Sequence, residues 1–229
     1  MRKILILGGN SDIGIKVIEK LVNIKNFQLC VHFNKNFPRK KYAKKIKFIK
    51  KNLHNINEKN VTKNFDKNYD IIINLVGYVS NQSFLNFNLK ETFKTILINS
   101  FVPFLIIRNS LKNMTKKRYG RIINTSSVGV KFGGSSKTFS YSLSKHLNEF
   151  IPSEVKKLYS HNILYNTLRI GVTDTKFHKK IKNKSIKNRV KMIPIKKMAS
   201  TNDIAEYIIY LVRDNNYVTN EIISITGGE

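Results

Sequence analysis

Tyr141 and Lys145 stand four residues apart in Tyr141-Ser142-Leu143-Ser144-Lys145, a stretch that reads as helix. Side chains at that spacing share one helical face. A phenol and an ammonium held side by side can move a proton. A free tyrosine ionises at roughly pH 10, too high for efficient proton exchange near neutrality. An ammonium one turn away favours the phenolate and lowers that value. Alone the pair is weak evidence, because the 229 residues include 42 Lys and Arg and 10 Tyr. It gains weight from companions at fixed distances before it: a glycine-rich turn at residues 8–14, Asn74-Leu75-Val76-Gly77, Asn99 and Ser126-Ser127.

These groups need rigid elements to hold them together. Strand and helix patterns alternate along the chain, the signature of a doubly wound parallel sheet. Short apolar runs predict strands at 3–7, 28–33, 46–49, 69–73, 120–127, 162–168 and 222–225. Asn10-Ser11-Asp12 can cap a helix starting near Ile13, and Ser200-Thr201-Asn202-Asp203 opens another. Residues 89–116 read as a long helical region through Asn99, apolar on more than one face. In Gly8-Gly9-Asn10-Ser11-Asp12-Ile13-Gly14, a strand passes through a glycine-rich loop into a helix. Small residues there admit a pyrophosphate, and the helix start supplies free N–H groups and the positive end of a dipole.

In that order and spacing the motifs resemble the short-chain dehydrogenase/reductase family, from Ile4 to Gly228. The resemblance implies an α/β fold: one three-layer Rossmann-type domain over residues 1–229, with about seven parallel strands and a substrate lid at 176–198. It implies an enzyme, an oxidoreductase that interconverts a carbonyl and a secondary alcohol by hydride transfer. Tyr141 would be general acid/base. Lys145 would also bond the nicotinamide ribose, Ser127 the substrate oxygen, and Asn99 a water linking Lys145 to solvent. Ser127 is preferred to Ser126 because the family serine sits just before the apolar-x-Gly step, here Val128-Gly129. The cofactor would touch Gly8, Asn10, Ser11, Asp12, Ile13 and Gly14, then Asn34, Lys35, Asn52 and Leu53. Further along it would meet Asn74, Val76, Gly77, Tyr141, Lys145, Gly171, Val172 and Thr175. Asp12 stands where the family has a glycine; a carboxylate near a phosphate repels it, so Asp12 is assigned to helix capping. Ile170 replaces the family's proline before Gly171.

The cofactor is expected to be NADP(H) in preference to NAD(H). An acid at the end of the second strand would select NAD, but His32-Phe33-Asn34-Lys35 stands there, and no Asp or Glu occurs between Ile24 and Asn57. Residues 35–51 hold nine basic residues and no acid; 173–198 hold ten and one, Asp174. The net charge of +28 raises nucleic-acid binding as a rival class. No recognition motif supports it, and a chain crowded with Lys, Asn and Ile is what AT-rich coding gives. A catalytically silent Rossmann protein is the other rival, opposed by the intact Asn, Ser, Tyr and Lys set. Within the enzyme reading, a 3-oxoacyl-carrier-protein reductase is the specific alternative. The expected partners are a small carbonyl or alcohol substrate, anionic or carrier-bound if the lid charge matters, and further copies of the chain in a homodimer or homotetramer. A membrane helix needs about 20 apolar residues, and no run approaches that. With one cysteine, Cys30, the expected setting is cytoplasmic.

Overall fold

The computed structural model describes residues 1–38, 42–181 and 185–229, without the side chain of Lys179. Among the described residues, seven strands form one sheet: β1 (Arg2–Leu7), β2 (Phe27–Phe33), β3 (Ile46–Lys50), β4 (Ile71–Asn74), β5 (Gly120–Ser127), β6 (Ile163–Ile170) and β7 (Ile222–Ile225). The order is β3-β2-β1-β4-β5-β6-β7, and every pairing is parallel. The chain first winds outward through β2 and β3, then returns to β4 on the other side of β1. Between β1 and β4 lies the switch point where open α/β sheets bind ligands, beyond the carboxyl ends of the strands.

The described helices are α1 (Asp12–Leu21), α2 (Val61–Asn64), α3 (Leu89–Ile96), α4 (Val102–Lys117), α5 (Phe139–Leu147), α6 (Ser153–Lys156), α7 (Ile186–Met192) and α8 (Thr201–Arg213). They cover both faces of the sheet, so β1 and β4 are buried throughout their central residues. One core packs α1 and α8 against Ile4, Ile6, Ile71 and Ile73; the other packs α4 against Leu5, Leu7 and Ile72. Alternate residues of the same strands feed the two cores, as a period of two requires. The strand expected at 69–73 begins at Ile71, because the Asp70 carboxylate accepts from the Lys3 N–H at 2.8 Å and from Lys117 Nζ at 2.7 Å. The long helical region is not one α-helix: residues Leu97–Phe101 form a π-helical turn between α3 and α4, with Asn99 inside it. Such turns recur at functional sites.

Candidate active site

The carboxyl ends of β1, β4, β5 and β6 open into a cavity of about 880 Å³, within the usual range for small-molecule sites. The glycine-rich turn forms one wall. Gly8 has φ +74°, and a Cβ there would come within 2.9 Å of Leu75 O. A Cβ on Gly14 would meet Gly9 Cα at 2.8 Å. The α1 N-cap is Ser11, whose Oγ accepts from the Gly14 N–H at 3.0 Å. That corrects the capping role expected of Asp12, which is the first residue of α1 and accepts instead from the Lys176 N–H at 2.7 Å.

The opposite wall carries Ser127, Tyr141 and Lys145. Lys145 is 2% exposed. Its Nζ donates to Val76 O at 2.8 Å and to Thr125 O at 3.0 Å, with Thr125 Oγ1 at 3.3 Å. It lies 5.9 Å from the centre of the Tyr141 ring. Burial pushes the ammonium down to about 7, since desolvation disfavours the charged form. The same effect pushes the Tyr141 phenol up, and the Ser127 hydroxyl acts in the opposite direction. The spacing argument expected the lysine to lower the phenol; in the folded chain desolvation is the larger influence on both groups.

Ser127 Oγ accepts from the Gly129 N–H at 3.3 Å, which leaves its own hydrogen to donate. Ser126 donates to Glu149 Oε1 at 2.7 Å, and Glu149 also binds Arg169 at 2.8 and 2.7 Å. The two serines are thereby separated: the Ser127 hydroxyl faces the Tyr141 phenol, and Ser126 is committed to an ion pair.

Asn99 is fully buried and does not line the cavity. Its Oδ1 accepts from the Tyr78 N–H at 2.7 Å, and its Nδ2 donates to Tyr78 O and Ser144 Oγ, each at 2.9 Å. Its backbone carbonyl accepts from Asn148 Nδ2 at 3.1 Å. Asn99 therefore ties the chain after Gly77 to α5. Asn148 Nδ2 also reaches Thr125 O at 3.0 Å. Thr125 and Asn148 were not singled out in the sequence, although both hold the surroundings of Lys145.

Of the residues expected to meet a cofactor, Gly14, Lys35 and Asn74 are not on the cavity wall; the others are. Asn74 braces the sheet, with Nδ2 on Asn124 Oδ1 at 2.7 Å and Oδ1 accepting from the Val76 N–H at 3.1 Å. Lys35 is exposed between Asn34 and Asn36, which do line the wall. Arg39, Lys40 and Lys41 lie outside the described residues, as do Lys182 and Lys184. His32 was passed over as merely not an acid. It is buried, its Nδ1 accepts from the Gly8 N–H at 3.3 Å, and its Nε2 meets Lys51 O at 3.0 Å. Burial holds its pKa below the ordinary value, consistent with a neutral ring. From the other side the wall is closed by Phe177, 5.4 Å from the Tyr141 ring, and by Met192 and Arg189 of α7.

Residues 54–229 match the family model described as Enoyl-(Acyl carrier protein) reductase. A 3-oxoacyl-[acyl-carrier-protein] reductase FabG of Aquifex aeolicus (strain VF5) is 32% identical over 197 residues, 82% of this chain and 78% of that protein. The chain belongs to the short-chain dehydrogenase/reductase family. A FabG of Buchnera aphidicola subsp. Baizongia pistaciae is 27% identical over 98% of this chain and 95% of its own. Among solved folds, the 3-oxoacyl (acyl-carrier-protein) reductase of Agrobacterium tumefaciens C58, with NADP bound, superposes with a TM-score of 0.85. It is 17% identical over 100% of this chain and 94% of that one, so it speaks for the fold alone. Membership makes the chain an oxidoreductase. Among the described residues no helix is long and apolar enough to cross a membrane, and no group of three or more His, Cys, Asp or Glu could hold a metal ion.

The depressed Lys145 ammonium has a consequence for stability. In the unfolded chain it keeps its proton up to about pH 10.4, but in the ligand-free fold only to about 7. Between those values the unfolded state binds more protons, so stability rises with pH across that window. Lys145→Met should remove on the order of 4 kcal/mol of that rise between pH 7 and 10. Urea unfolding at several pH values measures it; parallel curves for the two proteins would contradict the burial of a titrating ammonium.

Proposed function

We propose that this enzyme is an NADP-dependent oxidoreductase that interconverts a carbonyl and a secondary alcohol, with Tyr141 as general acid/base. The observation that carries the reading is the sharing of one cavity by Ser127, Tyr141 and Lys145 with a glycine-rich turn that opens a helix. That turn suits a dinucleotide: Gly8 and Gly14 leave no side chain in the way, and the α1 N-terminus offers N–H groups to a pyrophosphate. Asp12 is the one misfit. When bound, the cofactor supplies or takes the hydride. The protein's own groups hold the substrate and handle the proton. Ser127 Oγ donates to the substrate oxygen. Tyr141 gives that oxygen its proton in reduction, and its raised pKa keeps the proton in place until then. Lys145 anchors the carboxyl ends of β4 and β5 beside the phenol and presents its charge to the ribose. Asn99 holds Tyr78 and α5 in register. The substrate lid of this single domain is assigned to residues 176–198, of which 182–184 lie outside the described residues.

A second reading specifies the substrate as a 3-oxoacyl thioester on an acidic carrier. Relatives bearing that name support it. So does the exposed Arg118, whose Nη2 donates to Ser160 O at 2.9 Å, although His161 stands at the other position where a basic residue is expected. The described lid residues Lys176, Lys180, Lys187, Arg189 and Lys191 would speed an anionic substrate's approach, an effect that fades with salt. The setting is taken to be cytoplasmic.

Removing the proton donor tests the central assignment. Tyr141→Phe should lower turnover by about 10² or more while NADPH still binds. Near-normal activity would remove Tyr141 from the chemistry.

Cofactor choice is tested at the end of β2. A 2′-phosphate near Asn34 and an exposed lysine is favoured by about 1–3 kcal/mol, roughly ten- to a hundredfold. Lys35→Asp should invert a preference for NADPH over NADH. An unchanged ratio of kcat/KM values would clear Lys35 of any part in it.

A homo-oligomer is also part of the proposal. Leu89, Phe93 and Phe101 are exposed along α3 and the π turn, lining an apolar groove with Leu97. Burying such a face against a second copy is the ordinary solution. Light scattering should give a multiple of 26.5 kDa; a monomer at working concentration would count against it.

A further inference from the structure

We infer that Asp12 is a latch that fastens the first turn of the lid to the cofactor-binding turn. Asp12 occupies a position where a side chain has to justify itself, since it brings a negative charge to the place best suited to a pyrophosphate. Its carboxylate does not cap α1, because Ser11 does that. Asp12 Oδ2 instead accepts from the backbone N–H of Lys176 at 2.7 Å, joining points 164 residues apart in the chain. A bond from an amide to an ionised carboxylate is stronger than one between neutral groups. Lys176 begins the helical turn Lys176–Lys180 that crosses the cavity. The same turn is held at two further points. Phe177 packs on the Tyr141 ring and near Gly77, and Lys180 O accepts from Asn81 Nδ2 at 2.8 Å. Asp12 is the one of the three contacts that reaches the glycine-rich turn.

Two effects follow from one side chain. With the lid's first turn down, the carboxylate is engaged by the Lys176 amide. With that turn lifted, a bare carboxylate is left at the mouth of the pyrophosphate site, where it repels an anion. Lid opening and dinucleotide release are thereby one event. The second half rests on the NADP reading above; the latch itself does not.

Two substitutions separate the latch from the charge. Asp12→Asn keeps an oxygen acceptor for the Lys176 N–H and removes the charge. Asp12→Ala removes both. Deuterium uptake by the 173–178 peptide of the cofactor-free protein reads the latch directly, and stopped-flow fluorescence reads NADPH dissociation. The latch predicts about tenfold faster exchange in Asp12→Ala and a change of less than about threefold in Asp12→Asn. NADPH release should be slower in Asp12→Asn than in the parent protein, because the latch holds and the repulsion is gone, and faster in Asp12→Ala than in Asp12→Asn, because those two lack the charge alike and differ only in the latch. Unaltered exchange in Asp12→Ala overturns the latch. Identical behaviour of both variants, with tighter NADPH binding in each, shows that Asp12 acts by charge alone and also overturns it. Should none of the three proteins bind NADPH, the cofactor reading fails, and the exchange rates still decide the latch.

Discussion

A lysine has been taken out of water at the carboxyl edge of the sheet, and much of the site is built to tolerate it. An ammonium has three hydrogens to place. Lys145 has Val76 O, Thr125 O and Thr125 Oγ1 within reach. Those acceptors sit just beyond β4 and at the end of β5, so meeting the lysine fixes the two strands relative to α5. The acceptors are themselves held. Thr125 Oγ1 donates to Asn74 O at 2.7 Å, Asn74 pairs with Asn124, and Asn148 shares Thr125 O with the lysine. The network is not complete, since Asn148 Oδ1 is buried without a hydrogen-bond partner, a costly arrangement in so dry a place. The site's rigidity and its altered acidities come from the same burial.

That burial also bears on the proton transfer proposed for this wall. Desolvation penalises phenolate and ammonium alike, keeping Tyr141 protonated and Lys145 close to losing its proton. An anionic cofactor in the same cavity would favour the ammonium again. Loading the site and charging its lysine are then coupled, as linkage requires.

The strands were legible because they are short apolar runs, the central ones buried on both faces, and all seven agree with the expected bounds to within two residues at either end. Gly8 and Gly14 were legible because each marks a backbone approach that no side chain permits. Tyr141 and Lys145 were picked out by spacing and Ser127 by the family resemblance, and the structure brings all three to one cavity. What spacing could not convey was burial, which raises the phenol in the cofactor-free fold whatever the lysine contributes. Nor could it identify Lys145's partners: two are backbone carbonyls, which leave no trace in residue identity. Asn99 was found, but the π turn that holds it and its bonds to Tyr78, Ser144 and Asn148 depend on packing between distant segments. Asp12 was noticed as a departure, but its partner is a backbone amide far along the chain. The net charge of +28 informed least, because solvated lysines leave the fold almost unaffected.

The account depends most on the state of Lys145, and that can be measured directly. In protein labelled with ¹³C at lysine Cε, the Lys145 resonance is assigned by its loss in Lys145→Met and followed through a pH titration without cofactor. Its midpoint should fall near 7, well below the ordinary lysine value of about 10.4, and should move upward when NADPH is added. A midpoint near the ordinary lysine value of about 10.4, unmoved by NADPH, would contradict the account.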